Sequence, residues 1–261
     1  MALPHAASDL QPTSPTLDPI MNTYNTTLKA HEEIAEGTMA FQFHKPKGFD
    51  FAPGQAIDLV LPGQATGDND QNWRHAFSIV SAPFEDQLVV ATRMRDSAFK
   101  RALKALPTGA PVTINGPFGS LCLHQDRTRA GVFIAGGIGI TPFVSMLRQA
   151  QHDRLHQRLI LLYSNRRPED AAFLADLQQL EEQNTHFRLV ATMTNMRLST
   201  RTWPNQTGVI TADLVKSVVG DVPKPIFYLV GPPGMVESMR QTLHQVGIDN
   251  DDIRSEAFYG Y

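Results

Sequence analysis

A glycine-rich turn after an apolar run carries the clearest chemical signal in the sequence. Residues 132–135 are apolar and lead into GGIGITP, residues 136–142. Glycines let a ligand approach the backbone closely, and free N–H groups at a helix N-terminus attract phosphate. Thr141 stands at the cap position of the following helix and Pro142 at its first position. The pattern predicts a loop for a nucleotide diphosphate, with an ordinary tight turn as the alternative, and its candidate contacts are Gly137, Gly139, Thr141 and Pro142.

A second loop of this kind follows the apolar run at residues 226–230. It reads GPPGM, residues 231–235, and a helical stretch comes after it. Ligands of open parallel sheets bind beyond the carboxyl ends of the strands, so the two loops would face one crevice. The candidate contacts from this loop are Gly231, Pro232 and Met235.

Cationic residues follow the apolar run at residues 158–163. At the corresponding strand end, dinucleotide-binding folds place an acidic side chain against the ribose 2′-hydroxyl. Hydroxyl and guanidinium donors suit a 2′-phosphate, so this segment favours NADPH. Glu169 and Asp170 follow closely, and NADH therefore stays open. The candidate contacts are Ser164, Arg166 and Arg167.

The amino-terminal half holds an aromatic strand, a cationic stretch and a short glycine motif. In RHAFSI, residues 74–79, the side chains of His75, Phe77 and Ile79 share one face. GPFG, residues 116–119, follows a later strand. Taken singly, these segments are typical of a core strand, a solvated helix face and a turn. The cationic stretch runs past Ser97, which can cap a helix, and contains Arg93, Arg95, Lys100, Arg101 and Lys104.

The elements that must position these residues change their period near residues 125–130. The first half has six short strand-like runs with β-branched or aromatic residues, which predict a small antiparallel barrel: 23–29, 38–44, 56–61, 75–80, 88–93 and 111–114. In the second half, runs at 132–135, 158–163, 187–192 and 226–230 alternate with helical stretches, as in a doubly wound parallel sheet. We therefore expect a β + α/β fold, with a flexible leader at 1–21, a barrel domain at 22–127 and a nucleotide-binding α/β domain at 128–261. A surface loop is expected at 62–72.

Composition and charge exclude several function classes. The 261 residues suffice for two domains, and the net charge of -3 argues against nucleic acid as the main partner. The single cysteine, Cys122, excludes a disulfide framework and a four-cysteine iron–sulfur cluster. Among the histidines only His152 and His156 have a ligand-like spacing, and we interpret them as surface residues, so no metal site is expected. The chain has no apolar window of ~18 residues and no secretory signal, which predicts a cytoplasmic protein without a membrane span.

Four motifs in a fixed order give the chain a family resemblance. HAFS, GPFG, GGIGITP and VGPPGM follow one another within residues 22–261. Their order, together with the aromatic chain end, resembles the ferredoxin-NADP reductase superfamily. The resemblance implies a flavin-binding barrel, FAD as the cofactor, NADPH or NADH as the substrate, and no iron–sulfur domain.

The resemblance assigns flavin contacts to the first half. The family's aromatic residue along the flavin corresponds to Phe77, and the hydroxyl near flavin N5 corresponds to Ser78. His75 replaces the family arginine, and Arg74 lies one position away, so Arg93 or Arg95 would supply the charge for the flavin diphosphate. The expected flavin contacts are His75, Ala76, Phe77, Ser78, Arg93, Arg95, Ser97, Ala98, Phe99, Gly116 and Phe118.

The same resemblance extends to the nicotinamide side and the chain end. Val230 stands where many members have a cysteine near the nicotinamide, which implies slower or altered hydride transfer. The aromatic residue that stacks on the flavin corresponds to Tyr261, with Phe258 as second choice. Glu256 would deliver a proton, or is a surface carboxylate. The expected catalytic residues are Ser78, Glu256 and Tyr261.

The implied activity is that of an FAD-dependent NAD(P)H oxidoreductase. Its electrons would pass to an acidic carrier such as ferredoxin or flavodoxin, docked on residues 93–104, or to a haem or oxygenase component. Two other enzyme hypotheses stay open: an NAD(P)H:flavin or quinone reductase without a protein acceptor, and the reductase component of an oxygenase. A non-enzymatic nucleotide-binding regulator is the remaining alternative.

Overall fold

The amino-terminal half forms an antiparallel barrel in the structure, a computed structural model that describes residues 22–62 and 73–259. Its sheet order is β4-β3-β6-β1-β2-β5, and every neighbouring pair is antiparallel. A further bridge between Ile79 and Val90 joins the two edge strands, so the sheet closes and the expected barrel is confirmed. The strands are β1 (Thr23–Ala35), β2 (Thr38–His44), β3 (Ala56–Val60), β4 (Arg74–Ser78), β5 (Gln87–Arg93) and β6 (Pro111–Phe118).

One helix, α1 (Ala98–Ala105), packs against the barrel. The Lys100 backbone N–H donates to the Ser97 hydroxyl at 3.2 Å, so Ser97 is the helix cap that its residue type predicts. Phe99 and Leu103 are buried in the barrel core. Their packing fixes the start of α1 beside β4.

The carboxyl-terminal half is a parallel sheet with helices on both faces. Its order is β10-β9-β8-β7-β11-β12. Phe133 and Leu161 belong to one buried cluster, while their strand neighbours Val132 and Ile160 belong to another. Both faces of the sheet are therefore covered, which confirms the doubly wound fold. The strands are β7 (Gly131–Gly136), β8 (Leu159–Asn165), β9 (Phe187–Met193), β10 (Gln206–Thr207), β11 (Ile226–Gly231) and β12 (Ile253–Ala257), and the helices are α2 (Thr141–His152), α3 (Leu174–Gln183), α4 (Ala212–Val219) and α5 (Pro233–Gln245).

Two of these strands, β10 and β12, are absent from the sequence expectations. β12 reads IRSEA and buries only Ile253, so it has no apolar run to mark it. It pairs in parallel with β11, with Glu256 opposite Val230. This pairing places the chain end beside the loop that follows β11.

The connection between β6 and β7 contains the predicted domain boundary at 127/128. The His124 backbone N–H donates to the Tyr228 hydroxyl of β11 at 2.8 Å, and Arg254 of β12 donates to the Cys122 carbonyl oxygen at 2.9 Å. The connection is thus anchored to the parallel sheet, while the boundary itself stays a prediction.

Some predictions fall outside the described residues, namely the leader at 1–21, nearly all of the loop at 62–72, and Tyr261. Among residues 22–62 and 73–259, no helix has the length and apolar character needed to cross a membrane.

Candidate nucleotide-binding site

A cavity of about 310 Å³ is lined by residues of both halves. The barrel contributes Arg93 and Arg95, and the loop after β7 contributes residues 136–139. Arg93 and Arg95 of the barrel therefore lie at the carboxyl edge of the parallel sheet, where ligands of this fold bind. The other lining residues are Ser164, Asn165, Arg166, Thr194, Gly231, Pro232, Met235 and Phe258.

The two glycine loops pack directly against each other. A Cβ atom on Gly136 would lie 2.2 Å from Met235 Sδ, and one on Gly139 would lie 2.5 Å from the Val230 carbonyl oxygen. Gly137 differs, because its φ is +54° and no atom of the described residues lies within 4 Å of such a Cβ. Gly136 and Gly139 thus allow the loops to meet, whereas Gly137 leaves open backbone that a diphosphate can approach.

The start of α2 differs from the sequence expectation. A 3-10 turn (Gly137–Ile140) precedes the helix, so Thr141 is its first residue and not its cap. The Thr141 hydroxyl donates to the Ile138 carbonyl oxygen at 3.1 Å, and Pro142 comes second. Both side chains are buried, and neither lines the cavity. The prediction of Thr141 as the N-cap is therefore wrong, because the extra turn moves the helix start by one residue.

The end of β8 places Ser164 and Arg166 at the cavity, on either side of Asn165. The Asn165 side chain is buried, and its amide oxygen and nitrogen have no hydrogen-bond partner among the described residues. Buried polar groups normally have hydrogen-bond partners, so this amide is available to the polar groups of a ligand. Together with the open backbone at Gly137, this amide fits a nucleotide in the cavity.

Arg167 turns away from the cavity. Its Nε and Nη2 atoms donate to the two carboxylate oxygens of Asp170 at 3.0 and 2.9 Å, and Nη2 also lies 3.1 Å from Glu36 Oε2. Its side chain is not among the cavity-lining residues. Of the two arginines predicted to contact a 2′-phosphate, Arg166 alone lines the cavity.

The aromatic strand β4 faces α1. His75 stacks on Phe77 with ring centroids 4.8 Å apart and lies 5.4 Å from Phe99. Arg74 instead pairs with Asp58 of β3, on the other face. Arg74 is therefore committed to Asp58.

The predicted flavin residues of β4 and β6 lie across one intervening strand. Ala56 of β3 is opposite Ser78 on one side and opposite Phe118 on the other. Ser78 is buried, while Ala76 is exposed. Gly116, placed after a strand by the sequence pattern, lies within β6, where its N–H donates to the Asn22 carbonyl oxygen at 2.9 Å.

The cationic stretch at the start of α1 is divided between surface and interior. Arg95 and Ala98 are exposed, as are Arg101 and Lys104. Lys100 is only 4% exposed, and burial, with the nearby charge of Arg95, lowers its pKa. The prediction that Lys100 belongs to a docking surface is therefore wrong, because it lies on the inward side of α1 with Phe99 and Leu103.

The chain end lies against β11. Burial raises the pKa of Glu256, which is opposite Val230. Two residues later, the Phe258 N–H donates to the Gly231 carbonyl oxygen at 2.9 Å, and Phe258 lines the cavity. Glu256 and Phe258 are thus close to the second glycine loop, whereas Tyr261 lies outside the described residues.

Comparisons with known proteins agree with this arrangement. Residues 133–241 match the family described as "Oxidoreductase NAD-binding domain". A ferredoxin NADP+ reductase from Neisseria gonorrhoeae, solved with bound FAD and NADP, has a TM-score of 0.74 at 22% identity, over 90% of this chain and 98% of that one. The ferredoxin reductase of carbazole 1,9a-dioxygenase has a TM-score of 0.75 at 20% identity, over 92% of this chain and 70% of that one. The chain therefore has the fold of these two reductases.

A sequence relative is the reductase component of propane 2-monooxygenase from Rhodococcus jostii. It is 28% identical over 224 residues, which cover 82% of this chain and 57% of that protein. The chain therefore spans less than two thirds of that relative's length.

The four sequence motifs do not reveal every residue of the cavity. Thr194 comes directly after β9, and its N–H and hydroxyl both donate to the Asn165 carbonyl oxygen, at 2.9 and 3.2 Å. No glycine marks this position, but the rule that ligands bind beyond strand ends would have indicated it. The sequence shows Asp170 only as a charge near Arg167, because its pairing with Arg93 of the barrel is a tertiary contact.

Proposed function

We propose that the chain is an FAD-dependent oxidoreductase that takes hydride from NADPH or NADH and passes the electrons to a partner protein. The observation that carries the proposal is the single cavity in which Arg93 and Arg95 of the barrel face the open backbone of Gly137 and the side chain of Arg166. Three cations and a glycine loop form a donor set suited to dinucleotide diphosphates.

The two nucleotides would use different parts of the site. Ser97, Arg95 and the start of α1 would hold the flavin diphosphate, because a capped helix N-terminus with neighbouring cations attracts phosphate. The Gly137 loop and Arg166 would hold the nicotinamide nucleotide. Bound FAD supplies the conversion of a two-electron hydride into single electrons, and the protein positions the nucleotides.

Three residues of this chain would act nearest the reaction. Ser78 would place its hydroxyl beside flavin N5, from a buried position on β4. Glu256 would hold a proton, because its raised pKa keeps the carboxyl protonated to higher pH than usual. Phe258, which lines the cavity, would form one wall of the nicotinamide pocket. Tyr261 lies outside the described residues.

The visible spectrum of the purified protein tests this proposal. We expect a yellow protein whose extracted pigment is FAD and whose colour bleaches when NADPH or NADH is added without oxygen. Comparing bleaching by NADPH with bleaching by NADH tests whether Arg166 contacts the 2′-phosphate of NADPH. A protein that stays inert with FAD bound would refute the proposal.

A flavin reductase without a protein acceptor is the second candidate. It is favoured by one observation: His75 replaces the motif arginine, and Arg74 is paired with Asp58. Fewer cations at the motif strand predict weaker flavin binding. A colourless protein that oxidises NADPH or NADH only when free flavin is added would support this candidate.

The relatives support a proposal for the electron acceptor. One is a propane monooxygenase reductase component and one a ferredoxin reductase of a dioxygenase, so we propose an oxygenase component or an acidic carrier such as ferredoxin or flavodoxin as the acceptor. The exposed cations Arg101 and Lys104 would attract it.

Removing those two cations should weaken carrier docking. Arg101→Ala with Lys104→Ala is expected to raise the KM for an acidic carrier about threefold or more at low salt, and to spare ferricyanide reduction. Steady-state assays at two salt concentrations measure the effect. Lys216→Ala, an exposed lysine on α4, is the matched control. An unchanged KM in the double variant would exclude docking at this end of α1.

A further inference from the structure

An arginine of the cavity wall is paired with a carboxylate from the other half of the molecule. Arg93 ends β5 of the barrel and lines the cavity. Its Nη2 atom lies 3.1 Å from Oδ1 of Asp170, which follows β8 in the parallel-sheet half. The side chain of Asp170 is only 8% exposed, against 26% for Arg93. The pair thus crosses from one half to the other at the edge of the nucleotide cavity.

Asp170 is placed to fix a guanidinium rather than to bind a ligand itself. Its Oδ1 atom is shared by Arg93 and Arg167, and its Oδ2 atom accepts from Arg167 Nε. Burial alone would raise the pKa of Asp170, but the bonds from Arg167 and the charge of Arg93 hold it below the ordinary range. The carboxylate is therefore charged and occupied on both oxygens.

The backbone around this pair is also tied across the two halves. The Glu36 N–H, in the turn between β1 and β2, donates to the Glu169 carbonyl oxygen at 2.8 Å. In the same turn, the Gly37 carbonyl oxygen accepts from the Met94 N–H at 2.8 Å. The residue after Arg93 and the residue before Asp170 are thereby both bonded to one short turn. The backbone beside Arg93 and the backbone beside Asp170 are therefore anchored to the same turn.

We propose that Asp170 is a positioning residue that holds the Arg93 guanidinium at the cavity wall, where it contacts the diphosphate of a bound dinucleotide. This inference rests on the proposed function, because it requires a dinucleotide in the cavity. Without Asp170, the long Arg93 side chain would sample other rotamers, and its contact with the diphosphate would be weakened.

The diphosphate could belong to FAD or to the nicotinamide nucleotide, and two measurements distinguish them. Asp170→Asn keeps the side-chain shape and removes the charge. We expect it to raise by about tenfold either the Kd for FAD, measured by flavin fluorescence on the apoprotein, or the KM for NADPH or NADH, as for loss of one charge-assisted bond. Whichever constant rises identifies the nucleotide that Arg93 contacts, and kcat at saturation should change little.

A double-mutant cycle shows whether Asp170 acts through Arg93. Arg93→Ala should raise the same constant, and adding Asp170→Asn to it should have no further effect. Arg148→Gln is the matched control, since Arg148 pairs with Glu85 across the same two halves at 3.4 Å but does not line the cavity. It should leave both constants unchanged.

Three results would overturn the inference while the wild-type protein is active: unchanged constants in Asp170→Asn, additive effects in the cycle, or tighter binding in Asp170→Asn. Tighter binding is what simple removal of a nearby negative charge would give. A wild-type protein that neither binds FAD nor oxidises NADPH or NADH would instead refute the proposed function, and this inference with it.

Discussion

Replacing Gly139 with alanine should separate the two glycine loops and abolish most nucleotide oxidation. The new Cβ atom would lie 2.5 Å from the Val230 carbonyl oxygen and 2.8 Å from the Gly231 backbone nitrogen. These neighbours are backbone atoms of β11, so no side-chain rotation can relieve the contact. We expect the free energy of unfolding to fall by about 1–3 kcal/mol, as for overpacked cores. Activity should fall about a hundredfold, as for a site displaced by about 1 Å.

Urea unfolding and steady-state oxidation of NADPH or NADH measure the two effects. Gly234→Ala is the matched control for stability, because a Cβ there meets no atom of the described residues within 4 Å and the residue lies in α5. It should leave stability unchanged or raise it by about 0.5–1 kcal/mol, since alanine favours a helix over glycine. A Gly139→Ala protein as stable and active as the wild type would show that the loops do not meet as described.

The sequence predicted the elements whose signals are local. The glycine loops, the Ser97 cap and the alternation of apolar runs with helical stretches all depend on residues close together in the chain. Periodicity separates the barrel from the parallel sheet, and the rule for strand ends brings both loops to one cavity. These predictions are confirmed because local preference and tertiary packing agree.

The errors occur where tertiary contacts decide. The 3-10 turn that displaces Thr141 contains Gly139, which packs closely on Val230, and no local pattern shows this contact. Lys100 has a charged head but a long apolar stem, and its place beside Phe99 buries it.

The role of the arginines could not be predicted for a similar reason. Arg167 is committed to Asp170 and Glu36, and Arg93 is held by Asp170, although their positions in the sequence equally suggest free phosphate ligands. Such pairings depend on distant segments that meet only in the fold. The sequence therefore predicted the backbone loops of the candidate site, but it predicted the roles of the charged side chains less completely.

Acidification should destabilise the fold through His124. This ring is buried in the connection between the halves, with Nδ1 2.8 Å from the Tyr228 hydroxyl oxygen and Nε2 3.1 Å from the Arg129 carbonyl oxygen. Burial lowers the pKa of His124 below the ordinary 6.5, and the positive charges of Arg254, Arg129 and Arg127 lower it further. The hydrogen bond to the Arg129 carbonyl oxygen raises this pKa, but by less than burial lowers it. As the pH falls through 6.5, the unfolded chain therefore binds a proton at this ring before the folded chain does. The stabilisation by neutral His124 is complete above that pH and is lost progressively below it, by at most about 1.4 kcal/mol per pH unit.

Because other groups also titrate, the test is the difference between the wild type and His124→Gln. Glutamine cannot be protonated in this range, so the variant should be less stable at about pH 8, where a polar contact to Tyr228 is lost. The gap in the free energy of unfolding should narrow towards about pH 5, because the wild type loses the His124 contribution and the variant has none to lose. His44→Gln, at an exposed histidine of β2, should show a gap that stays near zero. A gap for His124→Gln that stays constant or widens on acidification would mean that His124 is not held neutral by its burial between the barrel and the parallel sheet.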